Sequence, residues 1–148
     1  MVERKYSAKR EEILNLLKST KTHPGAKWIY ELLKLDIADL SLGTVYRNLN
    51  IFCEEGLAQS LGVINGEERF DGISESHPHM VCSGCGAVVD LPEAKVDTLI
   101  QSCKKLSMET SFNIDFHKTT FYGLCKDCQN TPDDQRDQNG DDRDPDAA

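Results

Sequence analysis

Four of the six cysteines in this chain fall into two Cys-x-x-Cys hooks, Cys82 with Cys85 and Cys125 with Cys128. This two-plus-two spacing constrains the fold more than any other feature. Each hook places two thiolates on a tight turn whose backbone N–H groups help bear their charge, so two hooks from distant segments can converge on one zinc or iron ion. A fold that satisfies them must carry both segments to a single point. Four thiolates close a tetrahedral zinc to substrate, so the site is expected to be structural.

A secreted disulfide framework is the alternative use of six cysteines. The opening Met1-Val2-Glu3-Arg4-Lys5 leads into no signal-peptide core, and the sequence has no apolar run of about 18 residues that could span a membrane. We therefore expect metal ligands in a reducing cytoplasm. Cys53 and Cys103 stand alone inside expected helices and are expected to be small buried hydrophobes. At 148 residues the chain makes one compact domain or two very small ones, and small units often need a metal or a partner to stabilise their cores.

The net charge of −8 argues at first sight against nucleic acid, but it is unevenly distributed. From Thr131 to Ala148 the sequence carries seven Asp and two Arg with no hydrophobe able to pack, and residues 130–148 are expected to be a disordered acidic tail. Residues 1–60 hold nine Lys or Arg against eight Asp or Glu, a balance that permits a basic face.

Residues 8–19 read as an amphipathic helix capped by Ser7, with Ile13, Leu14 and Leu17 on one stripe. Pro24 suits the first turn of a second helix over Gly25 to Leu35, which buries Ile29, Tyr30, Leu32 and Leu33. Ser41 caps a third helix with Val45, Leu49 and Phe52 at core spacing, and Gly56 ends it. Asn65-Gly66 between Leu57–Ile64 and Glu67–Asp71 is a strong hairpin signal. Three short helices followed by a hairpin make a winged helix-turn-helix. Its third helix offers Ser41, Thr44, Tyr46 and Arg47, with Asn50, for phosphate and base-edge contact. Arg47 could instead be a solvated surface arginine, and Tyr46 could roof the core.

The second half reads as short strands at His79–Cys82 and Ala87–Asp90, a helix from about Glu93 to Leu106, and a strand from about Phe112 to Leu124. The fold class is therefore α+β: a winged-helix unit and hinge over 1–73, then a small α/β dimerisation domain with a zinc clip over 74–129. Two winged helices one DNA turn apart require a two-fold dimer.

His23, His77, His79, Asp71 and Asp90 form a second donor set. His77 and His79 lie two apart, on one side of a strand, and His23 sits at the start of the second helix in the other half. Three imidazoles and two hard oxygens suit iron(II), manganese(II) or zinc(II) with exchangeable occupancy. An ion shared between the halves would fix their relative angle. The bland readings are a His before proline at a helix start, ordinary loop aspartates, and, for His117, a satisfied strand histidine.

These residues resemble the ferric uptake regulator family of bacterial metal-dependent repressors. The resemblance runs from about Ser7 to Cys128 on His23-Pro-Gly-Ala-Lys-Trp-Ile-Tyr30, Thr44-Val-Tyr-Arg-Asn-Leu49, Arg69-Phe-Asp71, His77-Pro-His79 with Cys82-x-x-Cys85-Gly86, and Tyr122-Gly-Leu-Cys125-x-x-Cys128. It implies structural zinc on the four cysteines and a regulatory iron(II) or manganese(II) on His23, Asp71, His77, His79 and Asp90. It also implies a homodimer on double-stranded operator DNA.

Aspartate at 71, where iron- and zinc-sensing members tend to have glutamate, makes the chain similar to the peroxide-sensing repressors. In those proteins iron-catalysed oxidation of a ligand histidine, here matching His23 or His77, releases the metal and derepresses the genes. An iron, manganese or zinc uptake regulator without that chemistry is the alternative. A zinc enzyme built on the open histidine site is a third reading, for which the sequence supplies no evident general base or substrate pocket. Many iron-sensing relatives have a further metal site at the positions of Ser76, Pro78 and His117; Ser76 and Pro78 are unsuited to it, so that site is expected to be absent or altered. Many relatives also begin with an additional helix, where seven residues precede Ala8 here.

Overall fold

A computed structural model describes residues 8–91, 97–114 and 118–131, without the side chains of residues 99 and 100. The expected roles of Ser7 and His117, the expected helix start at Glu93 and the acidic tail beyond 131 lie outside the described residues.

The first unit is three helices around one core. Helix α1 (Ala8–Ser19) buries Ile13, Leu14 and Leu17, as the apolar stripe requires. It also buries Arg10, which pairs with Glu55 and stacks 5.0 Å from the ring of Phe52. Helix α2 (Ala26–Leu33) is shorter than the sequence suggests. Gly25, at φ −85 and ψ 170, is its N-cap, so Pro24 precedes the cap instead of lying in the first turn. The core takes Ala26, Ile29 and Leu33, whereas Leu32 is 46% exposed and Tyr30 only half-buried, because the packed face follows the 3.6-residue period from Ala26.

Helix α3 (Leu42–Glu54) starts where Ser41 accepts a hydrogen bond from the Thr44 N–H at 3.2 Å. Val45, Leu49 and Phe52 are fully buried. At its end Gly56 adopts φ +69, the Gly56 N–H donates to Cys53 O and the Leu57 N–H to Phe52 O, the paired bonds of a Schellman cap.

The wing follows as β1 (Gln59–Ile64) antiparallel to β2 (Glu67–Asp71). Asn65 and Gly66 have φ 52 and 75, the left-handed pair of a type I′ turn. A bulge between Ser60 and Gly62, with Gly62 at φ +81, shifts the register so that Gln59 faces Asp71.

The second unit is a three-stranded sheet in the order β4-β3-β5, from β3 (His79–Cys82), β4 (Val88–Asp90) and β5 (Thr120–Gly123). Strand β4 pairs antiparallel and β5 parallel to β3. Helix α4 (Asp97–Thr110) begins the described chain beyond 96 and runs past the expected end at Leu106; α5 (Lys126–Gln129) closes the last turn. Of the strand expected over 112–124, the described residues that pair with the four-residue β3 are Thr120–Gly123, which form β5. Phe112 and Ile114 are correspondingly exposed.

Neither isolated cysteine is fully buried. Cys53 packs on the flank of the helical core and Cys103 is half-exposed on α4.

A second small core joins the units. Ile64 of β1 packs with Val81 and Val88, flanked by Leu61. The wing turn reaches the cysteine hook, where a Cβ on Gly86 would lie 2.6 Å from Asn65 Nδ2.

Candidate metal centre

The chain enters the site at His23, in a tight turn before α2. Its φ of 49 is unusual for a residue with a side chain. Strand β2 holds that turn: the Arg69 guanidinium donates to His23 O at 3.2 Å and the Phe70 N–H to Pro24 O at 3.0 Å. With Phe70 fully buried in the helical core, Asp71 at the end of β2 is delivered to the same place. Its Oδ1 accepts the Ile73 N–H at 2.8 Å, closing a local turn, and leaves Oδ2 facing the histidines.

His79 opens β3 and lies opposite Asp90 in the register with β4. His77 precedes β3, so strand alternation is not what pairs it with His79. The linker carbonyl of Glu75 accepts from His77 Nδ1 at 2.8 Å, which leaves the Nε2 lone pair pointing inward. The His77 and His79 rings sit 4.4 Å apart and those of His23 and His79 5.2 Å apart.

All three Nε2 atoms converge on two oxygens. Asp90 Oδ1 lies 2.7 Å from His23, 3.0 Å from His77 and 3.3 Å from His79. Asp71 Oδ2 lies 3.1 Å from His77, 3.2 Å from His79 and 3.9 Å from His23. One donor atom from each of the five residues lies within 4.8 Å of all the others. First-row divalent ions hold such ligands at about 2.1 Å, which sets ligand-to-ligand spacings on the order of 3 to 4 Å. The cluster therefore fits such an ion in size as well as in donor type.

Burial works against ionising Asp71, but the His79 hydrogen bond, the Ile73 N–H and the nearby His23 and His77 hold its carboxyl below the ordinary value. Burial likewise opposes a proton on His77, yet the Glu75 carbonyl and the Asp90 and Asp71 carboxylates raise its pKa. The two carboxylates thus favour positive charge in the pocket, from a proton on His77 or from a metal that displaces it.

The second cluster is Cys82, Cys85, Cys125 and Cys128, whose sulfurs all lie within 4.8 Å of one another. Cys85 Sγ and Cys125 Sγ are 3.8 Å apart. A zinc–sulfur bond of about 2.3 Å in a tetrahedron gives an edge of about that length. Despite burial, the N–H groups of Cys125, Cys85 and Gly84 bring the Cys82 thiol down to about 6. Its neighbours pay for that one thiolate: hydrogen bonds from Cys128 to Cys125 and Cys82 push its own thiol up to about 12. Gly84 permits the approach, since a Cβ there would lie 2.9 Å from Cys128 Sγ. This cluster matches a structural zinc site, and the histidine and aspartate cluster matches a regulatory iron or manganese site.

Ser41, the N-cap of α3, and Tyr46 and Arg47 on the helix are exposed, Tyr46 at 38%, and Thr44 is half-buried. Two residues at the metal cluster were not legible as site residues in the sequence. Gln59 Nε2 donates to Asp71 Oδ2 at 3.1 Å and to Ile73 O at 2.9 Å, and Arg69 holds the His23 turn. Arg69 stands two before Asp71 on one strand, a period that could have flagged it. Nothing in the sequence marks Gln59, because its place depends on the bulge.

Known proteins are similar to this chain in sequence and fold. The model of the ferric uptake regulator family matches residues 2–122. The peroxide-responsive repressor PerR of Staphylococcus saprophyticus is 37% identical over 120 residues, 81% of this chain and 79% of that one. Among solved structures, the Campylobacter jejuni peroxide stress regulator is 32% identical with a TM-score of 0.68, covering 80% of this chain and 87% of that chain. The ferric uptake regulator from Pseudomonas aeruginosa with manganese is 28% identical with a TM-score of 0.67, covering 85% and 99%.

Proposed function

The chain belongs to the ferric uptake regulator family, whose members are transcriptional regulators and not enzymes, and we propose that it is a metal-dependent repressor that senses hydrogen peroxide. On this reading residues 1–73 are the winged-helix DNA-binding domain and hinge, 74–129 the dimerisation and metal-binding domain, and 130–148 an acidic tail. The repressor acts as a homodimer on double-stranded operator DNA in the cytoplasm; no described helix is long and apolar enough to cross a membrane. Large exposed apolar side chains in the second unit, among them Met108, Phe112 and Tyr122, support a partner subunit there.

The observation that carries the proposal is the convergence of His23 and Asp71, from the winged helix, with His77, His79 and Asp90, from the linker and second sheet, within 4.8 Å. Residues from both halves would hold one regulatory ion, and their shared grip would set the angle of the α3 surface bearing Ser41, Thr44, Tyr46 and Arg47. Cys82, Cys85, Cys125 and Cys128 would hold structural zinc.

Iron(II), when bound, would supply the redox catalysis by which the O–O bond of hydrogen peroxide is cleaved, the two electrons that reduce the peroxide coming overall from a ligand imidazole. His23 and His77 then stand as the oxidisable groups: in the net change one peroxide oxygen adds to the imidazole ring and water leaves, a gain of about 16 Da by that stoichiometry. An oxidised ring is a weaker donor, and its loss from the cluster separates the halves. The likeness to two peroxide-responsive regulators and the aspartate at 71 support this chemistry over simple metal sensing.

The test uses protein loaded anaerobically with iron(II), treated with mild peroxide, digested and weighed, with operator binding measured before and after. Oxidation of His23 or His77 together with loss of binding is expected. Unmodified histidines with binding intact would leave an iron, manganese or zinc uptake regulator as the function.

A further inference from the structure

We propose that Arg69 is the positioning residue for His23, acting through the His23 carbonyl and not through its ring. The proposal rests on the reading of His23 as a ligand of the regulatory ion.

Histidines that bind metals are usually aimed by a hydrogen bond to the second ring nitrogen. His77 follows that pattern, with Nδ1 on the Glu75 carbonyl at 2.8 Å. His23 does not: its Nδ1 is buried and meets no partner among the described residues. With Asp90 at Nε2 and no bond at Nδ1, the aim of the ring depends on the backbone that carries it, and that backbone stands in the left-handed region at φ 49.

Strand β2 over-determines this turn at three successive residues. Arg69 Nη1 donates to His23 O at 3.2 Å, and the Phe70 N–H donates to Pro24 O at 3.0 Å. The Glu67 carboxyl fills the space beside Gly25, where a Cβ would come within 2.1 Å of it. Of these contacts only the arginine reaches His23 itself. The Arg69 Nε is buried and meets no acceptor among the described residues, so the guanidinium is placed for the carbonyl bond at some cost in its own solvation. Because Arg69 and Asp71 share β2, one strand both supplies a ligand and aims another from a loop 46 positions away.

Manganese(II) titration followed by electron paramagnetic resonance tests the inference without peroxide chemistry. Arg69→Met keeps the stem and removes the donors; it is expected to weaken manganese affinity by about tenfold or more, within the range for outer-shell partners. Arg69→Lys, which retains a donor, is expected to recover most of that loss. In a His23→Ala background Arg69→Met is expected to change affinity less than about twofold, since contributions acting through one residue do not add.

Arg69→Met with wild-type affinity, while His23→Ala binds weakly, would overturn the inference alone. A full Arg69→Met loss persisting without His23 would overturn it too, by showing a general effect on folding. If His23→Ala binds manganese as tightly as wild type, the ligand reading fails and the inference with it.

Discussion

Phe52 shows how much one side chain carries. It is fully buried, lies under the Arg10 guanidinium, and its carbonyl accepts the Leu57 and Ala58 N–H groups just past the end of α3. Phe52→Ala is expected to destabilise the helical unit by about 3 to 5 kcal/mol, the usual cost of an aromatic cavity, read as a lowered urea midpoint. Gln59 works on a smaller scale at the metal cluster. Its amide fixes the Asp71 oxygen that faces the histidines and the linker that carries His77. Gln59→Met is expected to lower manganese affinity about tenfold while shifting the midpoint of the zinc-replete, manganese-free protein little. An unchanged manganese affinity would reduce Gln59 to an ordinary linker contact. Single residues divide cleanly by legibility: the candidate ligands are named by their chemistry, whereas Gln59 and Arg69 are ordinary polar side chains until their neighbours are known.

Among the elements, α3 is the one where sequence and structure agree most fully. Cap, core face and stop signal are all local, and each appears where the residues place it. Ser41→Ala is expected to cost about 1 kcal/mol through the lost cap, seen in thermal unfolding. On the proposed function, Arg47→Ala weakens operator binding while leaving manganese affinity unchanged, and a reduction of the salt slope by about 1 would identify its contact as a phosphate. Helix α2 and strand β5 are shorter than the sequence suggests for a shared reason. Helical periodicity near Pro24 cannot show that Gly25 is extended, and an apolar alternation cannot show how many partners the neighbouring strand offers. The wing is intermediate: Asn65-Gly66 fixes the turn locally, but the bulge at Gly62 determines which residue of β1 meets Asp71.

At the scale of the whole molecule the two clusters are mechanically joined. The wing packs Ile64 on Val81 and Val88, and its turn sits against Gly86 of the cysteine hook. Gly86→Ala must fit a Cβ at φ +72 and 2.6 Å from Asn65 Nδ2, so it is expected to cost about 1 kcal/mol or more and to loosen the wing from the hook. Hydrogen exchange should then rise at the wing turn while α1 to α3 keep their protection. The sequence by itself determined the inventory: two cysteine hooks, a nitrogen and oxygen donor set, three helices and a hairpin. Those follow from spacing, capping and turn chemistry within a few residues. Only the tertiary structure decided which atoms meet: the bulge that brings Gln59 to Asp71, the arginine that aims His23, the length of β5 and the seat of the wing on the hook. Each of these depends on register and packing between segments far apart in the chain, where local periodicity carries no information.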